Sequence, residues 1–301
     1  MTEVEFKNVT KKYGRTKALS GLTLNLSGNK IIGILGRNGA GKSTALQIAA
    51  GLLKPSGGTV AVFGENPFNS LRISANAILI HEGMAFPPSL RLGAILDEMK
   101  RAYPRFDIKL ALSLLEHFGI PDHAFHVQLS KGMKNTFNMI TGLAARTPLL
   151  MFDEPLNGMD AGVRSDILRV LLKEFIAQPR MILLSGHQLE GVEDLFEEVA
   201  IIHEGRLLHH GNADEFKERF VRISGPGTEV RRVVSRVRAL ELRDTLPGMA
   251  EALIELPDGQ TLPESAGGLS VSAVPLNDAY IALTRRKGGI DRVYADATDG
   301  R

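Results

Sequence analysis

The chain has no cysteine, which excludes disulfides and thiolate metal sites and fits a reducing compartment. No apolar run approaches the roughly 18 residues that a bilayer-spanning helix needs, so work at a membrane would require a second chain to span it. The stretch Met1-Thr2-Glu3-Val4-Glu5 lacks the basic segment and apolar core of a secretion signal, and no signal peptide is expected. An excess of one charge is also missing. Thirty-six Lys and Arg face 34 Asp and Glu, and a net charge of +2 gives no argument for a nucleic-acid partner. Internal repeats, coiled-coil heptads and low-complexity segments are absent too, so the fold is not a repeat array. What remains, 301 residues of which 44% are hydrophobic and 23% charged, is an ordinary soluble globular composition, long enough for one or two domains.

The most informative stretch is Gly36-Arg37-Asn38-Gly39-Ala40-Gly41-Lys42-Ser43-Thr44, a phosphate-binding pattern of spaced glycines followed by Lys and Ser. It lies between an apolar, β-branched run (residues 31–35) and a helix-forming run (residues 45–50), the strand, loop, helix order that the motif needs. Glycines let the backbone wrap phosphate oxygens and aim successive N–H groups at them, and the helix N-terminus adds positive dipole. Lys42 is then placed to neutralise the β- and γ-phosphates of a triphosphate, and Ser43 to offer its hydroxyl to Mg²⁺.

Along the chain, Val4, Phe6 and Val9 among charged neighbours, and then Leu22, Leu24 and Leu26, show the period of half-buried strands. Residues 59–63 and 77–80 are further short strands. From about residue 87 to 146 the period becomes helical, with Ile108, Leu112, Leu115 and Phe118 expected on one buried face and Gly119 at the helix end. Alternation then resumes: strands at 149–153, 181–184 and 199–202, and helices at 163–176 and 187–196. It implies a mainly parallel sheet with helices on both faces. Residues 206–209 and a short helix near 213–220 are expected to close this unit. Beyond 221 a small α+β appendage is expected, with a strand at 253–256, a turn at 257–259 and an alternating strand at 269–274. Its Arg231, Arg232, Arg236 and Arg238 suit a solvated face, or contact with acidic lipid or a partner. Residues 287–301 have little core-forming content and are expected to form a loose tail.

Residues 149–155 form an apolar strand that delivers two carboxylates, Asp153 and Glu154, at its C-terminal end, where parallel sheets place ligands. Asp153 suits Mg²⁺, usually through its water shell, and Glu154 could orient or deprotonate an attacking water.

With both motifs in view, the first 220 residues resemble the nucleotide-binding domain of ABC transporters. That resemblance implies a P-loop NTPase core with a mainly parallel sheet, an antiparallel β subdomain and a helical insertion at about 84–146. A small α+β domain follows at 221–286, and the tail at 287–301. Implied nucleotide contacts are Tyr13, Gly36, Asn38, Gly39, Ala40, Gly41, Lys42, Ser43 and Thr44. Tyr13 stands where the family stacks an aromatic ring on adenine; it could instead cover the core. Leu129-Ser130-Lys131-Gly132-Met133 resembles the family signature, usually Leu-Ser-Gly-Gly-Gln, so Ser130 and Gly132 are implied to reach the nucleotide of an opposing subunit. Ser130 would also cap a helix. Asp160 is implied to couple the two sites, or caps the next helix, and His187 is implied to sense the γ-phosphate. The catalytic set is therefore Glu154, His187 and Lys42, with Ser43 and Asp153 on the metal.

Two departures stand out. Lys131 replaces Gly and either favours the γ-phosphate or points to water. His81 stands where the family has Gln, and neutral imidazole is a poor partner for Mg²⁺, so Glu82 substitutes, the contact is through water, or the lid is altered. The resemblance implies an ATP-hydrolysing subunit, with ATP and Mg²⁺ as cofactors, acting as a homodimer or heterodimer. It would drive a separate integral membrane subunit, coupled through the exposed-looking turn at 85–88, from the cytoplasmic face of the cell membrane. The stretch 275–284 resembles an exporter-type ending. Alternatives are a soluble ABC-type ATPase acting on ribosomes or DNA, and a weakly active regulatory cassette.

Overall fold

The structure, a computed structural model, describes residues 2–84, 86–186, 191–256 and 268–285. The chain divides between His210 and Gly211 into two compact units.

The first unit opens on two long antiparallel strands, β1 (Thr2–Tyr13) and β2 (Thr16–Ser27). Val4 and Phe6 are buried as alternation requires, yet Val9, three residues on, is buried too. A register shift between Phe6 and Val9, where Asn8 takes φ 50°, inserts the extra residue and returns Val9 to the inner face. Leu22, Leu24 and Leu26 are buried on β2. There follow β3 (Ile31–Leu35), α1 (Lys42–Ala49), β4 (Gly57–Val62), α2 (Leu71–Asn76) and β5 (Ala77–His81). β1 pairs with both β2 and β4, giving a three-stranded antiparallel sheet.

The helical stretch comprises α3 (Leu92–Ala102), α4 (Ile108–His117) and α5 (Lys131–Ala145). Asp107 caps α4 by accepting from the Leu110 N–H at 2.9 Å, and Gly119, at φ 63°, ends it as expected. The buried face of α4 differs from the expectation. Ala111, Leu114 and Leu115 point inward, whereas Leu112 is 42% exposed, because the helix packs against α3 and α5 along a stripe rotated from the one read in sequence. The turn before α3 is also less open than expected: Phe86 is half-buried and its ring meets those of His126 and Phe137 edge-on.

β6 (Leu149–Asp153), α6 (Ala161–Ala177), β7 (Met181–Gly186), β8 (Glu198–His203) and β9 (Arg206–Asn212) complete a six-stranded sheet of order β5-β6-β7-β3-β8-β9. Strands β5, β6, β7, β3 and β8 run parallel. β3 and β6 are buried at every residue, which is why they read as continuous apolar runs rather than alternations. The helix expected at 187–196 is not one in its described part. Gly191 takes φ 77° and only a 3₁₀ turn, Glu193–Leu195, forms; residues 187–190 lie outside the described residues.

The second unit holds α7 (Ala213–Glu218), β10 (Phe220–Pro226), α8 (Gly227–Val234), β11 (Arg238–Leu246), β12 (Met249–Glu255), β13 (Ser270–Ala273) and α9 (Leu276–Leu283). Its strands form one antiparallel sheet, β11-β12-β10-β13, over a core of Ile223, Val230, Ala250, Ala252 and Ile254. α7 groups with this unit, its Phe216 ring centred 4.9 Å from that of Phe220 and tilted 54° to it. β13 does not alternate as expected: it is an edge strand with all four residues exposed. The basic face is solvated and locally neutralised, with Arg231 on Asp244, Arg232 on Glu229 and Arg238 on Glu255. The turn at 257–259 and the tail at 287–301 lie outside the described residues.

Candidate functional site

The loop between β3 and α1 carries the phosphate-binding pattern, and close approach requires glycine at Gly36 and Gly41. Gly41 sits at φ 109°, and a Cβ there would lie 2.5 Å from the Ala18 carbonyl. The loop borders a cavity of about 560 Å³ lined by residues 16–18, 38–44, 81–83, Asp153 and Glu154. Asn38, Gly39, Ala40, Gly41, Lys42, Ser43 and Thr44 thus meet both carboxylates in one place, although more than a hundred residues separate them in sequence. Parallel pairing of β6 with β5 and β7 does this, since it sets His81, Asp153 and Ser185 side by side at the strand ends.

Lys42 is the most constrained of these side chains. Only 4% exposed, its Nζ donates to the carbonyls of Gly36 at 2.8 Å and Arg37 at 3.4 Å and lies 3.4 Å from Glu154 Oε1. Burial pushes the ammonium pKa down, opposed by the charges of Glu154 and Asp153. These oxygens occupy donors that a phosphate could take over. Glu154 itself adopts φ 51°, a left-handed conformation that costs a non-glycine residue about 1–3 kcal/mol. Several contacts hold it there, among them the Ser185 carbonyl 3.3 Å from its N–H. Its N–H lies 3.1 Å from Ser185 Oγ, its Oε2 accepts from Asn157 Nδ2 at 3.0 Å, and its Oε1 faces Lys42. Asp153 accepts from the Ser185 hydroxyl at 2.5 Å. Ser185 and Asn157 were not singled out by the sequence; the only signal for Ser185 is its place just before Gly186 at the end of an apolar strand.

Ser43 and Asp153 line the same cavity and offer oxygen donors, which suit a hard cation such as Mg²⁺. Among the described residues no three acidic or histidine side chains converge into a metal cage. One hydroxyl and one carboxylate is the kind of donor set that binds Mg²⁺ together with substrate phosphates.

Other expected residues lie outside the cavity lining. Tyr13 ends β1, 49% exposed, with Lys11 Nζ 5.3 Å from its ring centre, next to the hairpin that supplies Thr16 and Lys17. Ser130 accepts from the Met133 N–H at 3.3 Å and Asp160 from the Val163 N–H at 2.9 Å, so both cap helices. Gly132 permits close packing, since a Cβ there would meet the Gly158 carbonyl at 2.6 Å. Asn135 Nδ2 bonds the Asn157 carbonyl at 2.6 Å, joining α5 to the loop after Glu154. Lys131 reaches neither open water alone nor the cavity: its Nζ pairs with Glu82 Oε1 at 2.7 Å. His81 lines the cavity, and His187 lies outside the described residues.

Residues 19–157 match the family described as ABC transporter. The bacitracin transport ATP-binding protein BcrA of Enterococcus faecalis is 30% identical over 220 residues, 72% of this chain and 71% of that protein. The daunorubicin/doxorubicin resistance ATP-binding protein DrrA of Streptomyces peucetius is 27% identical over 307 aligned residues, 93% of this chain and 92% of its own. A solved ATP-binding subunit of an ABC transporter superposes with a TM-score of 0.65 at 26% identity, covering 72% of this chain and 92% of that one.

Proposed function

The chain belongs to the ABC transporter family as an ATP-binding subunit with ATPase activity, and from that premise we propose that it drives a membrane-spanning subunit carried on a separate chain. The observation that carries this reading is the convergence of Lys42, Ser43, Asp153 and Glu154 on one cavity. Among the described residues no helix is long and apolar enough to cross a membrane. The membrane-spanning subunit would hold this one on the cytoplasmic face of the cell membrane.

In the proposed cycle ATP lies along residues 36–44, its adenine on the Tyr13 ring and its terminal phosphates in reach of the loop N–H groups and Lys42. Ser43 and Asp153 hold Mg²⁺, which supplies charge neutralisation at the phosphates when bound. A second ATP-binding subunit, identical or related, closes over the nucleotide with its own Ser130 and Gly132, and Asp160 couples the two sites. Glu154 orients the attacking water and accepts its proton, for which its fixed backbone and its contacts to Asn157 and Lys42 prepare it. His187 is assigned to the γ-phosphate on resemblance. Splitting the phosphate releases the pair.

Export is the proposed direction, supported by the alignment of the drug-resistance relative across nearly the whole chain, second unit included. Tagged protein drawn from detergent-solubilised membranes should bring down an integral membrane protein that raises its ATPase rate. Loss of the gene should raise cellular accumulation of the cargo. Co-sedimentation with ribosomes or duplex DNA, and none with a membrane protein, would contradict the reading.

A further inference from the structure

The sheet of the second unit ends at β11, whose outer side has no strand beside it among the described residues. Such an edge presents unpaired backbone N–H and C=O groups able to take another strand. Three features bear on what takes it. Large apolar side chains remain exposed there, Leu242 at 42% and Leu246 at 69%. Leu242 is flanked by opposite charges, Glu241 before it and Arg243 after it. The pairing of β11 with β12 is regular from Glu241 to Asp244 and broken by register shifts on either side, so only this short central piece is straight enough to be matched.

We propose that the occupant is β11 of a second copy of this chain, paired antiparallel about a two-fold axis through Leu242. When an axis perpendicular to the sheet extends it, residues directly opposite share a face. Opposed residues must then have the same parity along the strand, and the axis passes through a residue rather than between two. On Leu242, Glu241 of each copy lies opposite Arg243 of the other, and the two leucines meet. Moving the axis one residue either way opposes Glu241 to Glu241 or Arg243 to Arg243, like charges in direct apposition. The charges therefore select one register.

In-chain partners do not exhaust these groups. Glu241 accepts from Arg285 at 2.9 Å, and Arg243 donates to Glu251 at 2.9 Å while remaining 62% exposed, with further guanidinium donors free to reach a second carboxylate. The same-face placement of Glu241, Arg243 and Arg285 leaves Leu242 to the opposite face. No nucleotide enters this contact, so it stands or falls independently of the ATP-dependent closure proposed above.

Sedimentation equilibrium of the full chain without nucleotide tests it, at protein concentrations up to about 100 µM because the contact is small. Wild type should dimerise. Glu241→Arg and Arg243→Glu should each weaken the dimer at least about tenfold, since each sets like charges in both symmetric positions. Their equimolar mixture should recover association, because every opposed pair is then of opposite sign. Leu242→Lys, at an exposed position, should also separate the copies. A monomeric wild type, undisturbed dimers of the two charge variants, or a mixture that stays monomeric would overturn the proposal. So would a monomer whose β11 amides resist hydrogen exchange, which would give the edge to another part of the same chain.

Discussion

Lys131 Nζ and Glu82 Oε1 form a 2.7 Å ion pair that joins the first residue of α5 to the residue following β5. Both halves border the chemistry: Glu82 lines the phosphate cavity and Ser130, the cap of α5, is proposed to meet the nucleotide of the opposing subunit. The pair is more than half exposed on both sides, so its effect on stability stays within about 1 kcal/mol. Its effect on charge is direct, because Glu82 cancels the cation that this chain carries where the family has glycine.

Glu82→Gln should therefore leave the melting temperature nearly unchanged while strengthening ATP-dependent association about two- to fivefold at low ionic strength. The gain should fade as salt is raised to about 0.5 M. Light scattering against ATP concentration at two salt levels checks both halves of the expectation.

Ser185 holds the two carboxylates in place from the neighbouring strand. Ser185→Ala removes the hydroxyl bonded to the buried Asp153 carboxylate and one contact of the Glu154 N–H, which keeps the Ser185 carbonyl at 3.3 Å. A loss of about 1–3 kcal/mol is expected in urea unfolding. ATP hydrolysis should fall with it, since the strained Glu154 backbone loses a support.

His126 gives the helical stretch a pH dependence. It is buried, its ring against Phe86 and Phe137 and its Nε2 3.1 Å from Asn138 Oδ1. Burial pushes its pKa down, the Asn138 bond opposes this, and Lys134 adds to the lowering. The unfolded state, titrating near 6.5, takes up the proton first as pH falls. Stability is thus fully present above that value and is lost as pH drops below it, until the folded form is protonated too. His126→Gln keeps a donor for Asn138 but does not titrate. Its urea midpoint should be lower at pH 8 and change less than that of wild type between pH 7 and pH 5.5.

The phosphate loop and the acidic strand were legible in sequence because each needs a local pattern: glycines where a Cβ would collide, and a continuous apolar run where both sheet faces are covered. The elements missed depend on distant partners. Nothing local marks Leu112 as outward, because the packing of α3 and α5 decides which stripe of α4 is covered. Nothing local tells that Phe86 folds in against His126, or that Ser185 stands beside Asp153, which is a matter of strand register. The Asn8 bulge hid the same way, since Val9 looked correctly placed for the wrong reason. Lys131 could be seen to depart from the family pattern, but its answer in Glu82 comes from the fold.

The central claim is that Glu154 performs the chemistry on a nucleotide gripped by Lys42, and single-turnover ATP hydrolysis by Glu154→Gln with Mg²⁺ tests it most directly. ATP should bind as in wild type, and its cleavage should slow by at least about a hundredfold. Cleavage at the wild-type rate would remove Glu154 from the reaction and contradict the account.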